Sequence, residues 1–175
     1  MKAVVDSNVI ISGLINQSGP PGIILKKGMN QEFEMVASPL LLDEIEGVMR
    51  REWFVSHYLS NHQEFRESFR QHAKLYLDEP REHAVLPSDS DDMFLLDLAI
   101  STSSLLVTGD HALSALAGSL PVLTPRSFLN LLGATEENFQ DCLPGQFTLD
   151  RFAALVAEAR KQTLRENSKT EREMA

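Results

Sequence analysis

Apolar and polar positions alternate along this chain in short blocks whose period changes from one block to the next. Residues 2–5 (Lys-Ala-Val-Val) are apolar and partly β-branched, the pattern of a short buried strand that ends at Asp6. Ser7 to Ile15 continues with mixed apolar character until Ser18-Gly19-Pro20-Pro21-Gly22 breaks it, and Ile23 to Met29 predicts a helix closed near Gly28. Phe33 to Ala37 predicts a second strand. Ser38 and Pro39 then supply an N-cap and a first-turn proline for a helix running to about Arg51. Leu59, Phe65, Phe69, Ala73 and Tyr76 recur close to a helical period, which predicts one long helix or two shorter ones across residues 56–78. A weak strand follows at His83 to Leu86, then a polar loop from Pro87 feeding a helix from about Asp91 to Ser103. Leu105 to Thr108 is a clear strand ended by Gly109-Asp110. After it come a short helix (Ala112 to Ala117), a short strand (Pro121 to Leu123) and a helix (Pro125 to Leu132).

Strands alternating with helices imply an α/β fold, a mostly parallel sheet covered by helices on both faces in three α/β/α layers. The end of the chain differs. After a break at Gly145 to Thr148, residues 149–165 predict an amphipathic helix carrying Phe152, Leu155, Val156 and Ala159, and residues 166–175 are polar and expected to fray. The chain therefore divides into a domain over residues 1–133 and a C-terminal helical extension over 134–175. The apolar stripe of that last helix either packs back on its own domain or meets a second protein. A homodimer is the expected assembly, because two-fold dimers are the commonest soluble oligomers.

Composition narrows the picture. At 175 residues with 43% hydrophobic content the chain suits one well-cored domain. No apolar run approaches the roughly 18–20 residues that span a bilayer, so no membrane partner is expected. The opening Met-Lys-Ala-Val-Val-Asp brings an acid too early for a secretory leader, so the expected location is the cytoplasm. A single cysteine, Cys142, excludes an internal disulfide and a thiolate metal cluster. The formal net charge of −9 argues against a plain nucleic-acid-binding module, which neutralises phosphates with basic side chains. It does not argue against a metal enzyme, where clustered carboxylates carry negative charge that divalent cations reverse locally.

The candidate chemistry is acidic. In an open parallel sheet, ligands bind beyond the carboxyl ends of the strands, and Asp6 and Asp110 each end a predicted strand. If those strands are neighbours, both carboxylates face one crevice. Glu44 falls on the apolar stripe formed by Leu41, Ile45 and Val48, where a carboxylate is costly unless paired, protonated or metal-bound; a half-exposed stripe edge explains it as well. Asp92 opens the helix of Leu95, Leu96 and Ala99 on its inward side, although an acid in a helix's first turn also serves the helix dipole. Asp97 lies about 140° round that helix and outside the pocket. Converging carboxylates suit hard cations such as Mg²⁺ or Mn²⁺. Zinc is disfavoured, because the five histidines show no paired ligand spacing.

These residues resemble the motifs of the PIN-domain family. Val-Val-Asp6-Ser7-Asn8-Val-Ile is similar to its opening strand and acid, and Ser38-Pro39-Leu-Leu-Leu-Asp-Glu44-Ile to the segment bearing its acidic helix residue. Ser90-Asp91-Asp92-Met-Phe-Leu-Leu resembles its third acidic motif, Leu-Val-Thr108-Gly109-Asp110 its fourth, and Val122-Leu-Thr124-Pro125-Arg126-Ser-Phe-Leu its closing strand and helix. The resemblance covers about residues 2–133 and is nearest to prokaryotic toxins of toxin–antitoxin pairs. It implies a five-stranded parallel sheet and a Mg²⁺- or Mn²⁺-dependent endoribonuclease in which Asp6, Glu44, Asp92 and Asp110 hold one or two ions. A metal-activated water would open the RNA phosphodiester. Ala112 stands where relatives often carry another acid, which leaves the count of ions open. Ser7, Asn8 and Thr108 would orient the acids, Ser7 and Asn8 acting on Asp6 and Thr108 on Asp110.

Substrate contacts could come from Arg66, Arg70 and Lys74, which repeat every four residues, or from Arg126; with Glu64 and Glu67 nearby, a solvated helix face is the better explanation of the first three. An antitoxin protein is the implied partner. Two other readings compete. A phosphatase of the haloacid-dehalogenase kind needs a second Asp two residues after the first, and here Asn8 stands there. The other is a catalytically degenerate PIN fold that binds a partner or RNA without cleaving it.

Overall fold

Ala3-Val4-Val5 and Leu105-Leu106-Val107 are buried along their whole length, which is the condition of strands covered on both faces, and they lie side by side at the centre of a sheet. The computed structural model describes residues 1–57, 62–78, 93–115 and 120–133. Five strands, β1 (Lys2–Val5), β2 (Glu34–Ala37), β3 (Lys74–Leu75), β4 (Leu105–Val107) and β5 (Val122–Leu123), pair in the order β3-β2-β1-β4-β5. All four pairings are parallel, with Val4 opposite Val36 and Val5 opposite Val107. The helices are α1 (Ser7–Ile15), α2 (Pro20–Met29), α3 (Pro39–Met49), α4 (Glu52–His57), α5 (His62–His72), α6 (Met93–Ser101), α7 (His111–Ser114) and α8 (Pro125–Leu132). The sheet is the middle of three α/β/α layers. Helix α1 packs on α2 and α3, α2 on α8, and α6 on β1 and β4. Among the described residues no helix is long and apolar enough to cross a membrane.

The connections carry the chain outward from β1 to β2 and β3 on one side, and to β4 and β5 on the other. The boundary between β1 and β4 is therefore the topological switch point, where the loops leaving the strand ends diverge and open a crevice.

Two sequence expectations change. The stretch 56–78 is not helical to its end: α5 stops at His72, and Lys74–Leu75 pairs with Val36–Ala37 as the edge strand. Ala73 and Tyr76 continue the spacing of Phe69, which mimics a longer helix, but the same residues end in Lys-Leu-Tyr-Leu, which also reads as a strand. The open edge of β2 decides the matter, and Tyr76 continues the ladder by donating its N–H to the Ala37 carbonyl at 2.9 Å. A two-residue edge strand bearing a lysine is a common way to blunt an open sheet edge. The strand expected at His83 to Leu86 and the helix at 149–165 lie outside the described residues. Ser7 to Ile15, which carried no clear period, is helix α1, and α2 begins at Pro20, because two prolines at its first turn have φ pre-set for a helix.

Glycines govern how α1 meets α2. A Cβ on Gly22 would lie 2.5 Å from the Asn16 carbonyl oxygen and the Gln17 Cα, and one on Gly13 would lie 2.8 Å from the Pro21 carbonyl oxygen. Gly47, in α3, has nothing within 4 Å of the same point. Gly22→Ala is expected to cost about 1–3 kcal/mol through overpacking. Gly47→Ala should gain roughly 0.5–1 kcal/mol, as alanine does in an exposed helix. Urea denaturation of the two variants beside the parent chain measures both.

Candidate functional site

The register that sets Val5 opposite Val107 sets the next residues, Asp6 and Thr108, beside each other at the switch point. The ladder extends one step further on each strand: Asp6 donates its N–H to the Val107 carbonyl at 2.9 Å, and Thr108 to the Leu123 carbonyl at 3.0 Å. The Thr108 hydroxyl then donates to Asp6 Oδ2 at 2.5 Å and accepts the Asp110 N–H at 2.9 Å. One hydroxyl thus fixes the Asp6 carboxylate and the backbone that presents Asp110.

Each acid also begins a helix. Asp6 Oδ1 accepts the Asn8 N–H at 2.9 Å, capping α1, and sits 3.4 Å from the Ser7 hydroxyl. Asp110 Oδ1 accepts the Leu113 N–H at 2.8 Å, capping α7. Its other oxygen has no hydrogen-bond partner among the described residues, and Asp110 lines an open cleft of about 340 Å³ with Asn8, Val9, Ser12, Pro21, Gly109 and Pro125.

Asp6 is wholly buried, at 0% exposure. Its donors are a peptide N–H and two hydroxyls, all neutral, and among the described residues no lysine, arginine or histidine pairs with Asp6 or Asp110. Neutral donors offset only part of the cost of burying a carboxylate. The donor set here is oxygen alone, the chemistry that suits a hard divalent cation, and Asp110 lines the cleft from which such an ion would enter.

The other sequence candidates fall in different places. Glu44, on α3, is half-buried with its Oε2 shielded from solvent, and it does not line the cleft. Asp92 lies outside the described residues, and within them no three His, Cys, Asp or Glu side chains gather in one group that could hold a metal. The described structure therefore brings together two carboxylates, Asp6 and Asp110. Arg126 is exposed in the first turn of α8, next to Pro125 of the cleft.

Arg66, Arg70 and Lys74 do not share a helix face, because Lys74 belongs to β3. Arg66 instead meets Glu46 of α3 at 2.8 Å. Hydrogen bonding to the Tyr76 side chain, and then the Glu34 carboxylate, holds the Lys74 ammonium above its usual pKa. Thr108 acts on Asp6 as well as on Asp110, and Asn8 meets Asp6 through its backbone rather than its side chain. Asp97, set outside the pocket by its angle on the helix, is buried at 7% exposure. The signal for its burial was its place as the sole charged residue in Met-Phe-Leu-Leu-Asp-Leu-Ala-Ile-Ser.

Comparison with known proteins places the fold in a family. The PIN-domain family model matches residues 2–112, which include β1 to β4, Asp6 and Asp110. An uncharacterized protein of Methanocaldococcus jannaschii is 28% identical over 140 residues, covering 74% of this chain and 90% of its own length. No solved structure matches the chain significantly.

Removal of the Thr108 hydroxyl isolates its part. Thr108→Val leaves Asp6 Oδ2 buried without its donor and should cost about 1–3 kcal/mol in urea denaturation. Thr108→Ser, which keeps the hydroxyl, should lose less than half of that.

Proposed function

The chain belongs to the PIN-domain family, and on that premise we propose that it is a divalent-cation-dependent endoribonuclease whose centre is the Asp6–Thr108–Asp110 junction. The observation that carries this reading is the wholly buried Asp6, joined through one hydroxyl to the strand end bearing Asp110, with no cationic side chain beside either acid among the described residues. PIN domains are nucleases as a class, which favours hydrolysis of a phosphodiester over simple binding.

Asp6 and Asp110 would hold the cation, Mg²⁺ or Mn²⁺, and Glu44 and Asp92 are proposed to complete its oxygen ligands. When bound, the cation supplies an activated water and offsets the charge that builds on the scissile phosphate. The chain's own groups prepare that chemistry. Thr108 Oγ1 and the Asn8 N–H fix the plane of the Asp6 carboxylate before any ligand arrives, so no reorganisation is left to the reaction. The Leu113 N–H holds one Asp110 oxygen and leaves the other for the cleft. RNA would enter along that cleft, with Arg126 at its rim.

The toxin role, with an antitoxin protein as partner, is supported by the motif resemblance alone. The C-terminal extension over residues 134–175, which lies beyond the family match, is the surface proposed to meet that partner or a second copy of this chain. A small gene next to this one, whose product suppresses the activity, is the expected sign of such a pair.

Two measurements test the centre. Saturation with Mn²⁺ at about 100 times its Kd should stabilise the parent chain by about 2.7 kcal/mol, and Asp6→Asn should lose that gain. Asp6→Asn should also reduce Mn²⁺-dependent cleavage of single-stranded RNA by more than the roughly 10–100-fold that loss of an orienting partner costs. Unchanged cleavage by that variant would contradict the assignment.

A further inference from the structure

The cleft beside Asp110 contains polar side chains that the proposed metal centre does not use. Asn8 and Ser12 stand one helical turn apart on α1, exposed, and both line the cleft. Asn8 satisfies Asp6 with its backbone N–H, so its side-chain amide is left over, and neither it nor the Ser12 hydroxyl has a hydrogen-bond partner among the described residues. Gly109, next to Asp110 in the chain, lines the same cleft. It is exposed, its φ lies outside the left-handed region, and a Cβ placed on it would meet nothing within 4 Å. No backbone conformation or crowding requires a glycine there, and any larger side chain would stand in open space at the cleft wall. Pro21 and Pro125, each in the first turn of a helix, also line the cleft and limit how far its sides can move.

We propose that Asn8 and Ser12 grip the sugar–phosphate backbone of the RNA strand next to the scissile phosphate, and that the strand crosses over Gly109 to reach Asp110. Neutral donors suit this place. An amide and a hydroxyl can bond phosphate oxygens or a ribose hydroxyl in a cleft whose acids are spoken for by a cation, and a lysine there would compete for those acids. The inference rests on the nuclease reading but assigns the Asn8 and Ser12 side chains to substrate, while the Asn8 backbone N–H holds Asp6.

The experiment uses the full chain and a fluorescein-labelled single-stranded oligoribonucleotide. Binding is read by anisotropy with Ca²⁺ and cleavage with Mn²⁺. The Asn8→Ala/Ser12→Ala double variant should bind about 10- to 100-fold more weakly, with KM raised to match and with kcat and the Mn²⁺ half-saturation unchanged. Gly109→Val should obstruct binding at least as strongly with no loss of thermal stability. If the double variant instead shifts the Mn²⁺ half-saturation at constant KM, the two side chains serve the metal centre and the proposal is overturned. It is equally overturned if the parent chain binds and cleaves while neither variant weakens binding. If the parent chain binds without cleaving and all three substitutions weaken that binding, the grip stands and the nuclease reading falls. If the parent chain does not bind the oligoribonucleotide at all, both fall.

Discussion

The Thr108 hydroxyl is the contact on which the site depends. It has one proton to give, and Asp6 Oδ2 receives it; its lone pair faces the Asp110 N–H. Because it both donates and accepts, it couples two acids that come from strands a hundred residues apart in sequence, and it does so at the carboxyl edge of the sheet. A valine of the same shape would fill the space and leave two polar groups stranded in a buried place.

That contact exists only because of the strand order. Parallel pairing of β1 with β4 in the register that sets Val5 opposite Val107 delivers Asp6 and Thr108 as neighbours. A shift of one residue would turn the Asp6 and Thr108 side chains to opposite faces of the sheet. The apolar residues of β1 and β4 are buried on both faces, and the first turns of α1 and α7 use the same acids as caps. Asp6 is thus a strand end, a helix cap and a buried charge at once. The fold alone accounts for the first two roles. It does not account for a carboxylate at 0% exposure whose donors among the described residues are all neutral, and that residue of unexplained cost is what points to a cation.

Much of this was legible in the sequence. The central strands showed as uninterrupted apolar runs, Ser38-Pro39 and Pro125 marked helix starts, and two acids at strand ends pointed to the crevice. The failures have physical causes. Ala73 and Tyr76 fell in step with Phe69, so a two-residue edge strand hid inside a helical period, and only the free edge of β2 distinguishes the two. Ser7 to Ile15 had no clean period because α1 is apolar on more than one side, with Val9, Ile10 and Ile11 all buried. Orientation was harder still. The family resemblance, with their places beside the acids, named Asn8, Ser7 and Thr108 as helpers. It could not show that Asn8 would help with its backbone and keep its side chain for the cleft, or that Thr108 would give its proton to Asp6. The burial of Asp97 shows the same limit, since an angle on a helix does not say how much of that helix is covered.

We propose that Asp6 and Asp110 share one cation. A crystal of the full chain grown with Mn²⁺, and measured at a wavelength where manganese scatters anomalously, tests it most directly. The account predicts an anomalous peak with oxygens of both carboxylates at about 2.0–2.3 Å, and with the Thr108 hydroxyl still bonded to Asp6. A manganese bound elsewhere, or at only one of the two acids with the Thr108 contact broken, would contradict it.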